Sequence, residues 1–196
     1  MAKGTIYKVT FRRRREGRTD YHQRKKLISS RKLRLVVRKT IKHITLQLVE
    51  AKIEGDRILV HAGTSELRRY GWKVGTGNLP AAYLAGFLLG KRAVGKGLKS
   101  AILDLDGYVI TKENRLLAAL KGAIDAGLEV SHDEEVLPKE ERVSGVHIAK
   151  YAEQIQKEDP AKYQSYFSQY LSGGISPEKL VEHFEAVKGA ISKKVK

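Results

Sequence analysis

The chain contains no cysteine, which excludes disulfides and thiolate-held zinc or iron–sulfur centres and fits a reducing compartment. Its longest uncharged apolar run, Leu79 to Gly90, is twelve residues, short of the roughly 20 that a membrane-spanning helix needs. The first residues lack the apolar stretch of a signal peptide. Together these absences predict a soluble intracellular protein with no membrane partner.

A further shortage is local. Residues 1–43 hold sixteen Lys/Arg against only Glu16 and Asp20, a net of +14, whereas residues 44–196 hold twenty-two against twenty, a net of +2. Almost all of the formal charge of +16 therefore lies in the first fifth of a 196-residue chain. The stretch FRRRREGRTDYHQRKK, Phe11 to Lys26, has eight Lys/Arg and no Leu, Ile or Val. It cannot build a core. Residues 1–26 are predicted to be an extended arm that stays disordered until a polyanion neutralises it.

Hydrophobic patterning begins near Leu27. In KLRLVVRKT, Leu33, Leu35 and Val37 share one face of a strand, with Arg34, Val36 and Arg38 on the other. ITLQLVEAKI and RILVHAG follow as two more strands, separated by the Glu54-Gly55-Asp56 turn, and the three read as an antiparallel meander. Asn78 caps a helix with Pro80 in its first turn, PAAYLAGFLLGKRAVG. SAILDLDG is a short strand, and TKENRLLAALKGAIDAG a helix stopped by Gly127. The order βββ-α-β-α predicts an α/β fold, a mixed sheet with packed helices over residues 27–130. Residues 131–196 are predicted to be a helical extension docked on that core, with helices from His147 to Lys157, from Pro160 to Leu171 and after Ser176.

Arginine presents a planar fork that matches phosphate oxygens. Arg12, Arg13, Arg14, Arg15, Arg18, Arg24, Arg31 and Arg34 are the first eight arginines, with Lys25, Lys26 and Lys32 among them. Tyr7, Phe11, Tyr21 and His22 are interleaved, rings of the kind that stack on unpaired bases. A solubility tail would mix Lys with Glu, so this composition points to nucleic acid. The loop Tyr70-Gly71-Trp72-Lys73-Val74-Gly75-Thr76-Gly77-Asn78 is Gly-rich, aromatic and cationic before a helix N-terminus, and suits RNA contact as well as it suits a buried Trp72 in an ordinary loop.

Two motifs suggest enzymology. Gly90 to Gly97 misses a Walker A by having Gly97 where Ser or Thr should bind magnesium, and it follows a helix, not a strand. A basic helix end touching RNA accounts better for Lys91, Arg92, Lys96 and Lys99. Asp104-Leu105-Asp106-Gly107 resembles the first motif of haloacid-dehalogenase-type phosphatases, which would make the chain a magnesium-dependent phosphoryl-transfer enzyme with a basic arm. The lysine motif such an enzyme needs is missing, and Asp and Gly are ordinary turn residues. The six histidines show no metal spacing. No cofactor, metal or small-molecule substrate is expected.

FRRRREGRTDYHQRKKLISSRKLRLVVRKT, GNLPAAYLAGFLLGKRA, LDLDGYVITKENRLLAALKGAIDAGLEVSHDEEVLP and ERVSGVHIAKYA, in this order, resemble blocks of the archaeal and eukaryotic 5S-rRNA-binding proteins of the large ribosomal subunit, the L-eighteen family of bacterial naming. The resemblance implies a ribonuclease-H-like α/β core without catalysis. It also implies attachment of 5S rRNA to the large rRNA in the central protuberance, beside neighbouring ribosomal proteins. It places Arg12 to Lys26, the start of the first strand (Arg31, Lys32, Arg34, Arg38) and the loop with Trp72, Lys73, Thr76 and Asn78 against RNA. Asp104 and Asp106 become structural residues at a strand end.

Overall fold

The computed structural model describes residues 4–195. Its centre is a five-stranded sheet in the order β3-β2-β1-β4-β5. Strands β1 (Arg34–Lys39), β2 (Ile44–Ala51) and β3 (Asp56–Gly63) form the expected antiparallel meander, and β4 (Ser100–Asp104) and β5 (Glu129–Val130) add in parallel. The fold is α/β, as the order of patterned segments predicts.

One face of the sheet makes the core. Leu35 and Val37 of β1, Ile44, Leu46 and Leu48 of β2, and Val60 and Ala62 of β3 are buried there, the alternation that a two-residue side-chain period dictates. Against them pack helices α3 (Leu79–Gly95) and α4 (Arg115–Asp125). Both begin with an asparagine whose Oδ1 accepts a backbone N–H of the first turn: Asn78 from Ala81 at 3.0 Å, Asn114 from Leu117 at 2.9 Å. The two helices touch backbone to backbone. A Cβ on Gly86 would run into the Ala119 carbonyl, and one on Gly122 into the Tyr83 carbonyl, so both glycines are needed for the approach.

Ahead of the sheet the chain departs from expectation. Residues 1–26 are predicted to be extended, yet α1 (Arg12–Arg15) and α2 (Tyr21–Ser29) are helical; residues 1–3 lie outside the described residues. Asp20 explains the second helix, since its carboxylate accepts the N–H groups of His22 and Gln23 at 2.9 and 3.2 Å. Neither helix buries a residue.

The C-terminal part comprises α5 (Glu140–Ser144), α6 (Val146–Glu158), α7 (Pro160–Tyr166), α8 (Ser168–Ser172) and α9 (Leu180–Lys194). Leu180, Phe184, Val187 and Ile191 of α9 join the main core. The helix predicted over Pro160 to Leu171 is broken at Phe167, whose φ of −102° leaves the helical range and whose ring is buried between Tyr163 and Tyr170. Ser176 precedes a single 3₁₀ turn, Pro177–Lys179, and caps it with no side-chain bond.

Candidate nucleic-acid interface

The cationic residues ahead of β1 divide by what they touch. Arg12, Arg13, Arg14 and Arg15 are all exposed on α1. Arg13 Nε donates to Thr19 Oγ1 at 2.9 Å, and Arg12 and Arg18 share Glu16 at 3.8 and 3.2 Å. Arg14, Arg15, Lys25, Lys26, Arg31 and Lys32 are exposed and make no ion pair among the described residues. Phe11 and Tyr21 lie 5.0 Å apart, centroid to centroid.

Helix α2 sits over the second face of the sheet, the one opposite α3 and α4. Its attachment is polar: the Asp20 N–H donates to Asp106 Oδ1 at 3.1 Å, and Arg24 Nη2 to Asp56 Oδ1 at 2.9 Å. Beneath it the arginines of β1 are matched to carboxylates. Arg34 Nη1 donates to Asp104 Oδ2 at 2.8 Å, and Arg34 Nη2 lies 2.7 Å from Asp56 Oδ2. The second contact is a close ion pair, and Nε of this buried guanidinium is left without an acceptor. Arg38 reaches Asp106 Oδ2 at 3.2 Å and the Asp104 carbonyl at 3.2 Å. Burial would raise the Asp56 carboxyl, but Arg24 and Arg34 outweigh it and hold it below its usual range.

This corrects one expectation outright. Arg34 is 2% exposed, so it is a buried structural cation and not a surface phosphate contact. Arg24 and Arg38 are partly exposed, but each is engaged by a carboxylate. Asp104 is likewise buried behind Arg34, and its strand partner is Val36 in a parallel register that sets residues 68 apart in sequence side by side. A phosphoryl-transfer nucleophile must reach substrate and magnesium, and this carboxylate is occupied by a guanidinium instead. No group of three or more His, Asp or Glu suited to a metal occurs among the described residues.

The glycine-rich loop is also built differently from expectation. Trp72 is 1% exposed. Its Nε1 donates to the Gly75 carbonyl at 3.1 Å and its ring stacks on His183 of α9 at 5.1 Å. It is a core residue, not a platform for a base. Thr76 is buried too, donating to the Lys42 carbonyl at 2.8 Å. Asn78, besides capping α3, donates to Tyr170 Oη at 3.3 Å. Lys73 remains exposed, its N–H donating to His183 Nε2 at 3.3 Å. Burial, and then the Lys73 charge, hold the His183 imidazole below its ordinary pKa. Lys73, Lys42 and Arg68 rim a cleft of about 820 Å³ beside Ile41. Lys42 and Arg68 escaped the sequence reading, which followed motifs and not the folding together of distant loops.

At the end of α3, Arg92 donates to the His61 carbonyl at 2.6 Å and to Glu66 Oε2 at 2.8 Å. Its charge is matched internally. Lys91 lies over the Phe87 ring at 5.5 Å.

Comparison with known proteins identifies the family. The family described as "Ribosomal large subunit proteins 60S L5, and 50S L18" matches over residues 5–102. The large ribosomal subunit protein uL18 of Caldivirga maquilingensis is 48% identical over 195 residues, covering 99% of this chain and 94% of that protein. The chain therefore belongs to the family of large-subunit ribosomal proteins that includes 60S L5 and 50S L18.

Proposed function

We propose that this chain is a structural, non-catalytic constituent of the large ribosomal subunit that binds 5S rRNA and helps attach it to the large rRNA in the central protuberance. The observation that carries the RNA-binding part is the exposure of Arg14, Arg15, Lys25, Lys26, Arg31 and Lys32 on a segment whose only acids are Glu16 and Asp20. Cations left without internal carboxylates are available to phosphates, and Arg12, Arg13 and Arg18 are held only by exposed contacts that phosphates can replace. Lys73, with Lys42 and Arg68, forms a second basic surface at the far end of β1, suited to another stretch of rRNA. Neighbouring ribosomal proteins of the large subunit are further partners. Residues 1–26 act as the RNA-binding segment, 27–130 as the α/β core and 131–196 as the helical extension.

The test is a gel-shift titration of the full chain against 5S rRNA with excess tRNA as competitor, at two salt concentrations. Binding that survives tRNA and weakens steeply with salt supports the reading. Equal competition by tRNA reduces the basic segment to a general polyanion binder and removes the 5S assignment.

A further inference from the structure

The cleft between α2 and the second face of the sheet has three properties that a phosphate site does not explain. Its volume is about 540 Å³, within the range of roughly 300–1,000 Å³ typical of small-ligand pockets. Its charges cancel: four arginines face four aspartates, so a phosphate entering would meet as many carboxylates as guanidiniums. And it is lined by Arg34, a buried side chain whose Nη2 lies 2.7 Å from Asp56 Oδ2 and whose Nε is left without an acceptor. An unmet buried donor is rare in folded proteins, and a site that can take up an acceptor accounts for it. The cleft wall is apolar, made by Val36, Val49 and Ile58, the last of them half exposed.

We propose that this cleft receives an unpaired base of the RNA held by the flanking basic segment, an inference that rests on the RNA-binding reading above. A base matches what the cleft offers: no net charge, flat apolar faces and an edge of donors and acceptors. Tyr21 and the Val36–Val49–Ile58 surface supply the apolar walls. The Gln47 amide supplies a donor and an acceptor for the base edge, and Arg34, once Asp56 releases it, adds a further donor. Asp56, about a third exposed, is the carboxylate that yields, keeping Arg24 while it releases Arg34. The exposed Arg14, Arg15, Lys25 and Lys26 then take phosphates outside the cleft. The basic segment gives affinity, and the neutral cleft gives sequence selectivity.

The experiment uses full-length chains carrying Ile58→Trp, which fills the cleft from a half-exposed position, or Gln47→Leu, which removes the amide at similar size. Binding to 5S rRNA and to tRNA is measured at two salt concentrations, with thermal unfolding as a control on the fold. Each substitution is expected to weaken 5S binding about tenfold, on the scale of one stacked base, with tRNA binding, salt slope and melting temperature unchanged. Unchanged 5S affinity for Ile58→Trp overturns the inference, as does an equal loss for both RNAs. Millimolar free nucleosides are expected to leave the wild-type complex intact; displacement by them would make a free nucleoside the occupant and overturn the RNA form of the inference. If the wild type does not prefer 5S rRNA to tRNA, the RNA-binding reading falls as well. If it does and the variants match it, only the cleft reading falls.

Discussion

Arg34 and Asp104 meet at 2.8 Å with side-chain exposures of 2% and 7%, one from each of two neighbouring parallel strands. Removing one member of a buried pair leaves the other without compensation, at a cost of about 3–5 kcal/mol. Asp104→Ala is therefore expected to lower the stability of the RNA-free protein by about 3 kcal/mol, read by urea denaturation. Arg38→Ala, whose side chain is 36% exposed, is expected to cost less than about 1 kcal/mol. Equal losses in the two variants would refute the difference in burial as the cause.

The α3–α4 contact gives a second prediction. With a carbonyl in the way at both positions, Gly86→Ala and Gly122→Ala force the helices apart and are each expected to destabilise by about 3 kcal/mol. Gly189→Ala, in α9 with open space around it, should instead stabilise slightly, by about 0.5 kcal/mol. Thermal melts of the three variants, made without RNA, check the ordering.

These helices and strands were legible in the sequence because they depend on local signals. The alternation of Leu35 and Val37 with Arg34 and Arg38, and the asparagines before α3 and α4, state period and start directly. Trp72 was legible only as one of two readings, buried or facing RNA. A tryptophan among three glycines looks exposed until His183, more than a hundred residues away, is folded over it. Arg34 misled for a similar reason: the strand pattern correctly places it away from the core, but only the β1–β4 register shows that Asp104 closes that face. An R-x-V-x-R strand beside one ending in D-L-D was the available clue. Asp20 before YHQRKK was an unread N-cap for α2.

His183 makes stability depend on pH. Its pKa is lowered from 6.5 in the folded protein, so the folded state binds fewer protons than the unfolded chain. The contribution is whole above pH 6.5 and is lost as pH falls through the folded value. Protonation also removes the acceptor for the Lys73 N–H. His183→Phe, which keeps a ring against Trp72, is expected to flatten the decline in melting temperature between neutral and mildly acidic pH. The slope that remains belongs to His147, held down by burial and then by Arg142. An unchanged slope in His183→Phe would assign the whole effect to His147.

Salt dependence tests the arginines of α1. Replacing Arg12 to Arg15 with alanine removes up to four phosphate contacts, which by the duplex rule of about 0.9 per contact flattens the slope of log K against log salt by about 3 to 4. No buried residue is touched, so the melting temperature of the free protein should stay within a degree or two, ~0.5 kcal/mol. A slope that does not move would show that these arginines face solvent in the complex.

The uneven charge has a mechanical side. With a net of +14 in its first 43 residues and +2 in the rest, and with α2 on the side of the sheet away from α3 and α4, the molecule has a large electric dipole. In the field of a polyanion it experiences a torque before it experiences contact. It turns during approach, so that most collisions begin with the basic pole forward. Encounter is thereby oriented over a distance of about one Debye length, roughly 8 Å at physiological salt.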